Sequence, residues 1–106
     1  MIFGRGRFDE LVGRQLDLFE HDEADLLEEA ARAERAWQES GREEAEERYG
    51  DYQLVVDAAA DRLLDIRESY SQTLGDGVVA EYAEAFYRAA RKRFPRFTSL
   101  LADLEP

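Results

Sequence analysis

Ala30-Ala31-Arg32-Ala33-Glu34-Arg35-Ala36-Trp37-Gln38-Glu39-Ser40-Gly41-Arg42-Glu43-Glu44-Ala45-Glu46-Glu47-Arg48-Tyr49-Gly50-Asp51-Tyr52 holds the turn about which the rest of the chain is mirrored. Backward from Trp37, one stripe recurs at alternating spacings of four and three: Trp37, Ala33, Ala30, Leu26, Glu23, Phe19, Leu16 and Val12. Forward from Ala45 the same alternation selects Ala45, Tyr49, Tyr52, Val56, Ala59, Leu63, Ile66 and Tyr70. That alternation keeps side chains on one stripe of a helix and is the seam of a coiled coil. Two seams reflected about Gly41 predict an all-α protein built on a long antiparallel, coiled-coil-like hairpin. Its helices are expected over 7–39 and 42–74, each roughly 50 Å long at 1.5 Å per residue.

Working outward, Ser40-Gly41-Arg42-Glu43 matches the S-x-x-E capping box, so Ser40 is expected to cap the second helix. Gly41 suits a left-handed end to the first. Reflection makes facing residue numbers sum to about 82, the register of an antiparallel seam. Trp37 then faces Ala45, Ala33 faces Tyr49, and Glu23 faces Ala59, pairing large with small near the turn as close packing favours. Gly50 weakens the second helix, but the seam keeps its register through it, so a continuous helix is expected.

Beyond Gly75-Asp76-Gly77, with Asp76 a suitable N-cap, the positions Val79, Tyr82, Phe86, Ala89 or Ala90, and Phe94 share one face of a third helix. It is expected over 78–94, ended by Pro95. A short C-terminal helix is expected over 98–104 and a flexible arm over 1–6, all within one domain of residues 1–106. Folding back from its turn, the third helix packs on the open end of the hairpin and reaches residues 8–24 and 58–74. Leu11 and Leu18 widen the first seam there, and Ala60 and Leu64 the second. Residues 25–58 are then left as an uncovered two-helix arm, which buries little surface alone.

Composition narrows the function classes. Among 106 residues, 25 are acidic and 14 basic, a net charge of −11. Such a field opposes nucleic-acid phosphates and anionic membranes and favours basic protein partners. There is no cysteine, which removes disulfides, thiolate metal sites and thiol nucleophiles. Neither a membrane-length apolar run nor a secretory leader is present, so a cytoplasmic location is expected. Richness in Arg, Ala, Glu and Asp, with Lys92 the only lysine, suggests a GC-rich bacterial genome.

No hydroxyl has a histidine or lysine at a recognisable spacing, so no nucleophile emerges and a non-enzymatic role is expected, without a cofactor. The Trp-x-Gly turn and Tyr-x-x-x-Asp/Glu signal of the helical-hairpin substrates of type VII secretion are both missing. Trp37 is followed by Gln38 and Glu39, and Tyr70 has Leu74 at the fourth position. The expected function is therefore an interaction or scaffold module that forms a homo-oligomer, a dimer, through the distal half of the hairpin. Leu26, Leu27, Trp37, Tyr49, Tyr52 and Val55 are the candidate contact residues, because this much apolar and aromatic surface exceeds what one partner helix covers.

The alternative is a carboxylate-rich metal site around His21, Glu23, Asp57 and Asp61. Asp57, Asp61 and Asp65 repeat every four residues, and like charges at that spacing call for cations. Arg88, Arg91, Lys92, Arg93 and Arg96 near the end of the third helix are the expected intramolecular source.

Overall fold

A computed structural model describes residues 6–98, and among these every regular element is helical. The elements are α1 (Asp9–Asp22), α2 (Ala24–Gln38), α3 (Ala45–Ser71), α4 (Asp76–Arg93) and the short α5 (Pro95–Thr98). The molecule measures 52 × 27 × 23 Å, an elongated shape set by the long α3. The arm expected over 1–6 falls almost wholly outside the described residues, as does the helix expected over 98–104 beyond Thr98.

The expected first helix is divided. Glu23 has φ −107° and ψ 27°, off the helical well, and separates α1 from α2. Hydrogen bonds continue on both sides, from the Glu23 N–H to the Phe19 carbonyl and from the Leu27 N–H to that of Glu23, so the rod is kinked there. Neither glycine nor proline causes it. Glu23 is the one charged residue on the seam, and its carboxylate lies 3.6 Å from Arg62 at the rim, which avoids burying a charge. By contrast α3 runs unbroken through Gly50, where an added Cβ would meet open space.

The turn also differs from its expected form. α3 begins at Ala45, and the Ser40 hydroxyl donates backward to the Trp37 carbonyl at 2.6 Å. Ser40 therefore closes the end of α2 instead of capping α3, and Gly41 does not take a left-handed conformation. Thr73 repeats the device at the end of α3, donating to the Tyr70 carbonyl at 2.7 Å. Lengthening the connection moves the register by about one helical turn. Trp37 meets Tyr49 and Tyr52, where Ala45 was expected, while Glu23 reaches Arg62, a reach that the small Ala59 opposite it allows.

The core sits where α1, α3 and α4 converge. Val12, Leu16, Phe19, Leu63, Tyr82 and Phe86 are all 0–1% exposed. Phe8 and Tyr70 pack edge-on or tilted against the Tyr82 ring, and Phe94 lies edge-on to Phe19. The Tyr82 hydroxyl donates to Gln15 at 3.0 Å, so the buried phenol is satisfied. Burial raises its pKa to about 12, with the Gln15 bond opposing.

Candidate interaction surface

Trp37, Tyr49 and Tyr52 form one aromatic cluster at the far end of the α2–α3 pair. Their ring centroids lie 4.7, 5.7 and 6.3 Å apart, with Trp37 stacked on Tyr52. Much of this surface is therefore spent within the molecule. Tyr52 is half-buried and its hydroxyl donates to Glu34 at 3.5 Å. Arg96 of α5 donates to the same Glu34 carboxylate. Burial raises the Tyr52 pKa, with the Glu34 charge adding to the effect.

The uncovered arm is shorter than the sequence suggests. After α4 ends, Phe94, Pro95, Arg96 and Phe97 carry the chain past Leu27, Ala30 and Glu34, lining a groove of about 250 Å³ with Tyr52. Phe97 is 7% exposed. The end of α4, with Arg93 and Phe94, reaches this level, and the short α5 turn extends the cover.

The six candidate contact residues do not share one face. Leu27 and Tyr52 lie toward α5, whereas Val55 lines a groove on another side with Ala33, Ala36 and Leu54. Leu26 is half-buried against the core. Tyr49 remains 40% exposed. Two larger exposures were not among the candidates: Leu54 at 71% and Leu18 at 61%. Gln53-Leu54-Val55-Val56 contains the signal for the first, since three successive apolar residues cannot share one helical stripe. Leu18 was expected to widen the seam toward the third helix. α4 instead lies over the Gly13, Asp17 and Glu20 side of α1, which leaves Leu18 outside.

Arg88 and Arg93 of α4 pair with carboxylates of α1, and Arg96 of α5 pairs with Glu34 of α2. Arg88 lies 3.5 Å from Asp9. Arg93 lies 2.7 Å from Asp17 and 3.1 Å from Glu20, and also donates to the Gly13 carbonyl. Asp57, Asp61 and Asp65 are exposed on α3. The metal alternative finds no gathered ligands. His21 is exposed beside Asp22 at 3.2 Å, and Glu23 turns to Arg62. Among the described residues no group of three His, Asp or Glu side chains is placed to hold a metal ion. Among them too, no helix is long and apolar enough to cross a membrane.

Compared with known protein families, curated proteins and solved structures, the chain matches none.

Proposed function

We propose that this chain is a non-enzymatic helical interaction module that associates with a second copy of itself through the distal half of the α2–α3 pair. In this reading α1–α2 and α3 are the arms of an antiparallel hairpin with α4 packed on its open end, and the protein resides in the cytoplasm. One observation carries it: Leu54 is 71% exposed beside half-buried Val55 on a rod that continues past the main core. Isolated exposed leucines are ordinary, but this one adjoins Ala33, Ala36 and Val55 in a single groove, and contiguous apolar patches mark association sites.

Sedimentation equilibrium across micromolar concentrations tests the proposal. The expected species is a dimer that dissociates on dilution. A folded monomer throughout that range removes it.

A further inference from the structure

The two sides of the α2–α3 pair are not equivalent. Toward α5, Arg96, Glu34 and Tyr52 bond to one another and the groove is walled by Phe94 and Phe97. Elsewhere two grooves are lined, among the described residues, by α1, α2 and α3 alone. One, of about 300 Å³, holds Leu18 with Asp22 and Arg62; the other, of about 480 Å³, holds Leu54 with Arg32 and Asp51. These two grooves contain the two most exposed leucines among the described residues.

We infer that this α4-free face binds the same face of a second copy, the two molecules lying side by side with their Trp37 ends together. This rests on the self-association proposed above and names the surface and the arrangement. Charge selects the occupant. The rim of the distal groove carries Glu29 and Asp51 against Arg32 and Arg48, so it is balanced on a chain whose net charge is −11. A balanced rim complements a copy of itself, whereas a basic partner gains more from the exposed aspartates outside it.

The two exposed leucines select the arrangement. A two-fold axis along the rods lays α2 of one molecule over α3 of the other at equal height. Arg32 and Asp51 line one groove from opposite helices, so each then faces the other's counterpart in the partner copy. The second groove carries Asp22, Glu23 and Asp65 against Arg62, which already lies 3.6 Å from Glu23, so it joins the interface through Leu18 and not through ion pairs. A two-fold axis across the rods, centred on the distal groove, instead stacks α2 on α2 and leaves Leu18 uncovered. The side-by-side form covers Leu18 and Leu54 together and completes a four-helix layer.

The test is sedimentation equilibrium of the full chain as wild type, Leu54→Glu, Arg32→Asp, and Arg32→Asp combined with Asp51→Arg, with far-UV circular dichroism on each. All three sites are exposed, so helix content is expected to hold. Each single variant should weaken the dimer at least about tenfold, and the charge swap should restore it to within about threefold of wild type. A dimer indifferent to Leu54→Glu and Arg32→Asp overturns this face while leaving self-association standing. A charge swap that fails to restore the dimer overturns the side-by-side arrangement. A helical wild-type monomer at about 100 μM overturns both readings.

Discussion

Around Tyr82, side chains from α1, α3 and α4 meet and the ring is fully buried; around Trp37 the stacked rings come from α2 and α3, and Tyr49 is still 40% exposed. Both ends use aromatic clusters of similar spacing, so aromatic content does not separate them. What separates them is a third helix. An aromatic ring contributes in proportion to the area it takes from water, and two helices cannot enclose one. The Tyr82 end is thus a core, and the Trp37 end is a ring stack with an open side.

Truncating one ring at each end tests how far the two differ in enclosure. Phe86→Ala should cost about 3–5 kcal/mol, because Phe86 is 0% exposed and its loss leaves a cavity. Trp37→Ala should cost only about 1–2 kcal/mol, since its neighbours are already partly solvated. Denaturant unfolding supplies both values. Equal losses would mean that the far end is as well enclosed as the core.

The enclosure of Tyr82 is also readable through pH. Its folded pKa is raised from 10.0 to about 12 by burial, so the fold holds the protonated form more tightly than the unfolded chain does. Its contribution is fully present below pH 10 and is lost as pH rises through about 12. Tyr82→Phe should cost about 1 kcal/mol at neutral pH through the lost Gln15 bond. Between pH 10 and about 12 that difference should shrink, and the variant should overtake the wild type. Unfolding curves at several alkaline pH values read the crossing; parallel pH profiles would show that Tyr82 ionises as freely in the fold as in water.

The smallest effect is expected at Gly50. It lies inside α3 with open space where a Cβ would go, so Gly50→Ala should stabilise by about 0.5–1 kcal/mol. Thermal unfolding checks it. A loss would reveal a backbone conformation near the ring stack that alanine does not tolerate.

These regions also differ in how plainly the sequence announces them. Val12, Leu16, Phe19, Ala30, Val56, Ala59 and Leu63 are seam positions, and each is at most 4% exposed. A four-three spacing is a property of one helix, so it can be read without knowing the partner. The break at Glu23 and the backward bond of Ser40 are local backbone and rotamer choices to which apolar spacing is blind. The reach of Arg96 to Glu34 is a pairing between segments, which spacing within one helix does not encode. The expected match between the α4 arginines and the α3 aspartates failed for that reason: both runs are legible, but the face of α4 that meets α1 depends on packing. Leu54 lies off a seam drawn through Tyr52 and Val56, which Val55 alone was expected to widen there.

The contacts at the two ends also join parts of the chain separated by very different lengths. Tyr52 and Glu34 are 18 residues apart, whereas Arg7 reaches Glu81 across 74. Closing the longer loop costs roughly 1 kcal/mol more in chain entropy. That entropy cost falls on the docking of α1 against α4, whereas α2 on α3 and α3 on α4 close across short connections, Tyr70 packing on Tyr82. Trp37, the only tryptophan, sits in the α2–α3 pair, so its fluorescence reports that pairing and says little about the docking of α1.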